Sequence, residues 1–198
     1  MIIRNLFYFA LILIPVWGCI KKKPEHVNDV KNSSKSLSEF LVLKDSLRQS
    51  WNSMIESDDK KLLLVKRLIE EISYTPQPDP IKIEKLKQYQ AKVKANRYTL
   101  YNLSEANKID NYDRNTDTLL RSVYQLAAAT PNVERYPLVN ELIGDINALD
   151  NQVVVYRANY DRWAKKYNAY LDTKITEIKT AYPDSMGIKP LGLFELQE

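Results

Sequence analysis

Between positions 142 and 167 the apolar residues Leu142, Ile146, Leu149, Val153, Tyr156, Tyr160, Trp163 and Tyr167 recur at alternating spacings of four and three. That is a heptad seam, and only an α-helix places such positions on one side. The rhythm runs on through Leu171, Ile175, Ile178 and Tyr182 and stops at Pro183, so the pattern predicts a helix over about 139–181. Such a helix is roughly 65 Å long at ~1.5 Å per residue. A stripe of that length cannot be covered by its own chain, and antiparallel neighbours have to bury it.

Those neighbours are legible upstream. Leu37, Phe40, Leu47, Trp51, Met54, Leu62, Val65, Ile69 and Ile72 predict a first helix over 36–73, with Asp58 as a polar interruption and Ser36 and Glu39 in the form of a capping box. Pro76, Pro78 and Pro80 end it, because each removes a backbone donor. Asp79 and Pro80 then suit an N-cap and a first helical position, and Leu86, Tyr89, Val93, Leu100 and Leu103 predict a second helix over 80–108. The stretch 107–117 is rich in Asn and Asp, whose side chains compete for backbone hydrogen bonds, and predicts a loop. A short third helix over 116–130 carries Leu119, Leu120, Val123 and Leu126. No strand pattern occurs, so the expected class is all-α: an elongated antiparallel bundle of about four helices with one very long C-terminal helix.

Residues 1–18 have the form of a signal peptide, with Arg4 ahead of an apolar run from Leu6 to Val16. That run spans roughly 16 Å as a helix against a ~30 Å hydrocarbon core, which is short for a permanent anchor. Val16-Trp17-Gly18-Cys19 resembles a bacterial lipobox and marks Cys19 as a lipid attachment site. Residues 19–35, with Lys21, Lys22 and Lys23 beside the lipid, read as the lipidated Cys and a flexible tether, leaving 36–198 as the folded domain. The expected location is a bacterial membrane, facing the periplasm or another extracytoplasmic side.

Arg135-Tyr136-Pro137, Asn151, Arg157, Tyr160 and Tyr167-Asn168, at these spacings, resemble the signature half of the LemA family. Tyr182-Pro183, Gly187, Lys189-Pro190 and Phe194-Glu195 are similar to that family's closing segment, and Trp51 stands where the family places a Trp in its first long helix. The resemblance covers about residues 36–198. It implies an exported, membrane-attached helical domain whose family has no established biochemical activity. Three departures accompany it. A lipobox replaces a plain transmembrane helix, Lys66 and Arg67 replace a Pro-Asn pair, and about nine residues are added between Asn168 and Tyr182. The residues so marked as signature or partner-binding candidates are Tyr136, Pro137, Asn151, Arg157, Tyr160, Tyr167, Asn168, Gly187, Pro190 and Phe194.

Composition narrows the chemistry. One His and one Cys exclude disulfide frameworks and structural zinc, and four Gly provide no phosphate loop. The Asp58-Asp59 and Glu70-Glu71 pairs point about 100° apart on a helix and read as solvated faces. Arg157, Arg162, Lys165 and Lys166 interleave with aromatic residues as in a nucleic-acid surface, but Tyr156, Tyr160, Trp163 and Tyr167 lie on the seam and belong to the core. The expectation is a membrane-anchored binding or scaffolding lipoprotein of the cell envelope, not an enzyme, with no cofactor, no nucleic acid, no small-molecule substrate and an envelope protein as partner. The alternative is an envelope hydrolase using carboxylates gathered between helices. A solvent-lined interior cavity with two or more acids separates the two, since a pure scaffold should lack it. The closing segment 186–198 holds Ile188, Leu191, Leu193 and Phe194 between helix-breaking residues, and Phe194 is expected to be buried against the bundle.

Overall fold

The computed structural model describes residues 25–182 and 187–194. Four helices follow in order, α1 (Glu25–Ser73), α2 (Pro80–Ala95), α3 (Ala106–Ala128) and α4 (Pro137–Ala181), with a 3-10 turn at Val133–Arg135. No strand occurs among the described residues. The signal peptide expected at 1–18 and the lipidation expected at Cys19 lie outside the described residues. No described helix is long and apolar enough to cross a membrane.

α1 and α4 run antiparallel over most of their lengths and form the spine of the molecule. Their register is fixed at one end by Ser36, whose hydroxyl donates to Glu177 (Oε2), and in the middle by Phe40 against Tyr167 at 5.5 Å between ring centres. Further along, Lys61 donates to Asp150 at 2.9 Å. The predicted α1 stripe is buried almost throughout, and Leu64 and Leu68 are buried as well because α2 covers a second side. Each such side chain contributes ~1.5–3 kcal/mol when fully removed from water. α2 and α3 pack only beside the C-terminal half of α1, as Gln90 bonding to the Leu62 carbonyl and Tyr112 bonding to Asp58 show. The cross-section is therefore four helices at one end and two at the other.

Three features depart from the sequence expectation. The first helix starts at Glu25, not 36, so residues 25–35 of the expected tether are helical and Ser36 sits inside the helix. Its hydroxyl bonds to α4 instead of capping, so no capping box forms. Next, the second helix ends at Ala95 and the third begins at Ala106, so the break falls at 96–105 and not at 107–117. Ile109, Tyr112, Thr116, Leu119 and Val123 form a buried stripe at helical spacing, and that burial outweighs the weak helix preference of the Asn and Asp residues between them. At 96–105 local bonds compete instead: Asn96 (Nδ2) returns to the Lys92 carbonyl, and Asn102 (Oδ1) accepts from Thr99 N–H at 2.7 Å. Asp79 caps α2 as expected, accepting from Lys82 N–H at 2.9 Å with Pro80 at the first helical position.

The third departure is in α4 itself. Val139, Leu142 and Ile146 are buried, then Leu149, Val153 and Tyr156 are only half-buried, and full burial resumes at Tyr160. Beyond it the buried line passes through Ala164, Tyr167, Leu171 and Ile178, leaving Trp163 half-buried at the edge. The guanidinium of Arg162 and the ammonium of Lys166 lie over the Trp163 ring at 5.7 and 4.6 Å. The α1 helix passes through Lys66-Arg67 without a break, and α4 continues unbroken from Asn168 to Ala181.

Candidate functional site

Two features meet where the four-helix end becomes two-helix. The first is the seat of the closing segment. Asn168 holds the backbone of Leu191 at both groups, its Nδ2 donating to the carbonyl and its Oδ1 accepting from the N–H, each at 2.9 Å. Tyr160 donates to the Gly192 carbonyl at 3.1 Å, and Phe194 N–H donates to Asp161 (Oδ1) at 2.9 Å. Gly192 lies so close to the 96–105 loop that a Cβ there would stand 2.6 Å from Ser104 N, which is why the chain has no side chain at this point. Gly187 has φ +115°, a left-handed turn that suits glycine.

Phe194, 9% exposed, inserts its ring between Tyr98 and Tyr160, with centroid distances of 5.3 and 5.5 Å and steep interplanar angles. Trp51 packs on Tyr160 at 5.5 Å from the other side. The guanidinium of Arg157 lies 4.8 Å from the Phe194 ring centre. Trp51, Tyr160 and Phe194, from α1, α4 and the closing segment, thus form one aromatic cluster. Burial, with the Asp161 charge nearby, raises the Tyr160 pKa, so this phenol stays a hydrogen-bond donor.

The second feature is a cavity of about 240 Å³ among α1, α3 and α4. It exists because α3 and α4 meet through long polar side chains: Tyr124 donates to Asn147, and Arg157 bonds to both carboxylate oxygens of Asp113 at 2.6 and 2.8 Å. On the α1 wall, Asp58 lies 3.4 Å from the Lys61 ammonium and 3.0 Å from Arg97, and Tyr112 donates to it. Lys61 is 3% exposed and also pairs with Asp150. Burial opposes the charge of Arg157, but the hydrogen bond and charge of Asp113 outweigh it and raise its pKa. Burial, then the Asp58 anion, raises the Tyr112 pKa far above the ordinary phenol range. For Asp59, some burial works against ionisation, yet the bonds from Arg97 and Lys94 prevail and hold its carboxyl below the usual value.

The cavity is thus walled by ion pairs, and the reading of Asp58 as part of a solvated face is corrected: it is 9% exposed and carries two cations and a phenol. Asp113 and Asp117 from α3 and Asp150 from α4 complete the acidic lining. Ser57 Oγ, Thr116 Oγ1 and Arg157 Nε are buried atoms with no hydrogen-bond partner among the described residues, and all three residues belong to this wall. No group of acids, His or Cys that could hold a metal ion occurs among the described residues.

Of the residues singled out in the sequence, Arg157, Tyr160, Asn168 and Phe194 come together at the seat, and Tyr167 packs one turn away against Phe40. Tyr136 and Pro137 lie at the start of α4, half-buried and exposed, and Asn151 is exposed on its outer face. Gly187 and Pro190 are exposed in the closing segment. Sequence reasoning missed Tyr98, Tyr112, Lys61, Arg97 and Asp113. Tyr98 and Arg97 fell inside a predicted helix, and Tyr112 and Asp113 inside a predicted loop. The one usable signal was Tyr112 itself, at helical spacing from Ile109, Thr116 and Leu119. Comparison with protein-family models, curated proteins and solved structures yields no match for this chain.

Proposed function

We propose that this chain is a LemA-like lipoprotein, held at an extracytoplasmic membrane face through Cys19, that binds or scaffolds in the cell envelope without catalysing a reaction. One observation carries the reading: three of the residues that bear the resemblance, Arg157, Tyr160 and Asn168, are occupied in fastening the closing segment to the bundle. Asn168, Tyr160 and Arg157 each contact that segment through the bonds and ring contact described above. A signature that holds a fold together needs no substrate to explain it.

An acid-lined cavity is the feature that would favour the hydrolase alternative, and it is present. Three of its four carboxylates argue for binding nonetheless. Asp58, Asp113 and Asp150 are tied to Lys61, Arg97 or Arg157, and the buried phenol of Tyr112 is held protonated by its surroundings. General acid–base work needs a group that exchanges its proton near the working pH.

The location is tested by fractionation. Wild-type chain should partition into the detergent phase and be digested by protease added to cells with a permeabilised outer layer, whereas Cys19→Ser should enter the aqueous phase after signal cleavage. Two acyl chains suffice for stable attachment. A protease-protected cytoplasmic protein, or a cleaved Cys19→Ser variant that stays with membranes, overturns the proposal.

A further inference from the structure

α2 carries five lysines and a single acid, Glu84. The whole chain is nearly balanced, with 29 Lys and Arg against 25 Asp and Glu, so this excess is local. Three of the lysines gather along the groove between α2 and α3. Near the N-terminal end of α2 the groove opens into a pocket of about 320 Å³, where Leu86, Leu126 and Ala129 supply apolar surface and Lys82 and Lys85 stand at the edge. A shallower continuation around Tyr89 and Val93 is edged by Lys92. Tyr89 joins the two parts, donating to Asn115 of α3 at 3.0 Å. Among the described residues, no Asp or Glu lines either part, and α3 offers the uncharged Asn115, Ser122 and Gln125. The acids of α3 lie elsewhere: Asp113 and Asp117 line the cavity toward α4, and Asp110 lies in the groove beside the closing segment. Asp79 pairs with Lys82 at 3.2 Å, whereas Lys85 and Lys92 make no ion pair among the described residues. Ile81, 66% exposed, stands at the same end of α2 as the pocket.

Charge and shape together select the occupant. Uncompensated cations along an apolar trough favour a partner that brings both negative charge and apolar side chains. A bare polyanion would satisfy the lysines and gain nothing from Leu86 and Leu126. Lys85 and Lys92 are seven residues apart on α2, so they stand on one face at a separation of ~10.5 Å along the axis. Carboxylates seven residues apart on a second helix, along one flank of its apolar stripe, repeat at that same distance, and the stripe itself lies into the trough. We propose that the α2–α3 groove is the docking surface for an acidic amphipathic helix of a partner protein, with an apolar side chain in the pocket beside Leu86 and Leu126 and carboxylates on Lys85 and Lys92.

The inference gives the binding reading above a class of partner and rests on it. The test uses the full chain held in discs of zwitterionic lipid, with empty discs as the blank. The probe is a labelled synthetic helix of about 21 residues, with Leu along one stripe and Glu on its flanks. Fluorescence anisotropy should give a Kd on the order of 10 μM. Raising the salt from ~0.05 to ~0.5 M should weaken it severalfold, since the lysines are exposed. Lys85→Glu and Lys92→Glu should each weaken binding about tenfold. Lys165→Glu, an exposed change on α4, should leave it unaltered. Where either reversal lowers the melting midpoint, Lys85→Gln and Lys92→Gln take its place. No binding of the acidic helix, equal binding of a helix with Lys in place of Glu, or binding indifferent to both lysines overturns the inference. So does polyphosphate, polyglutamate or an anionic vesicle that binds through these lysines as tightly as the helix, because the apolar surface would then contribute nothing. Such a failure leaves the Cys19 fractionation result standing, whereas helix binding by a chain that proves cytoplasmic supports the groove and overturns only the envelope location.

Discussion

Replacing Phe194 by Ala removes the most deeply buried side chain among the described residues of the closing segment. Its ring is 9% exposed and touches Tyr98, Tyr160 and the Arg157 guanidinium. Truncating a buried Phe costs ~3–5 kcal/mol in a closed core. Edge-to-face pairs of this kind account for ~0.5–1.5 kcal/mol each. The segment has an escape that a core residue lacks. Its hydrogen bonds to Asn168, Tyr160 and Asp161 add a net ~1 kcal/mol apiece. Ordering its backbone costs ~1–2 kcal/mol per residue. Without the ring the bonds cannot hold the segment down, and it leaves the bundle before the full truncation penalty is felt. The expected loss for Phe194→Ala is therefore ~2–4 kcal/mol, set by undocking and not by cavity formation. At ~2–4 °C per kcal/mol for a chain of this size, the melting midpoint followed by circular dichroism should fall roughly 5–15 °C. Deleting 187–198 should give nearly the same shift, because the segment is already released in the point variant. A melting change below about 1 °C in both, with no new proteolysis at the bundle junction, would refute the reasoning.

Trp163→Ala should cost only ~1–2 kcal/mol in chemical denaturation, below the ~3–5 expected of a buried aromatic, because this ring lies half-exposed under Arg162 and Lys166. A loss above ~3 kcal/mol would place it in the core. The phenols of Tyr98, Tyr112 and Tyr160 have pKa values raised by burial in the folded chain. Unfolded tyrosines ionise near ~10, so the stability these groups confer is full below that pH and is lost as the pH rises toward the folded values. Denaturation at stepped pH, with tyrosinate absorbance alongside, should show midpoints falling only on the alkaline side of ~10; flat midpoints there would contradict the burial.

Periodicity made the two ends of α4 readable and the middle misleading. Spacings of three and four identify the face of a helix, but not what stands opposite it. Val153 and Tyr156 keep the seam's rhythm while lining the cavity among α1, α3 and α4, and so are only half-buried. Asp58 shows the converse. A lone acid in an apolar stripe reads as a break, but with Lys61 one turn on and Arg97 and Tyr112 brought in from other elements it becomes buried and paired. Those partners lie 39 and 54 residues away for Arg97 and Tyr112, beyond any local pattern. The α2–α3 boundary was misplaced because Asn and Asp propensity is a weak local preference, overridden once Ile109, Tyr112 and Val123 have a core to enter. The seat of the closing segment was more legible. A helix-breaking stretch that still carries Leu191 and Phe194 has to hide them, and Phe194 does so between Tyr98 of the 96–105 loop and Tyr160 of α4.

The docking of the closing segment onto Arg157, Tyr160 and Asn168 is the centre of this account, and amide hydrogen exchange at Leu191 and Phe194 measures it directly. Both N–H groups donate to side chains of α4 and not to secondary structure, so only docking can protect them. In the wild-type chain each should exchange roughly 30-fold more slowly than an unstructured amide, the factor that ~2 kcal/mol of docking supplies. In Asn168→Ala, protection at Leu191 should disappear while the amides of α4 around Ala164 keep theirs. Exchange of Leu191 and Phe194 at unstructured rates in the wild-type chain would contradict the account.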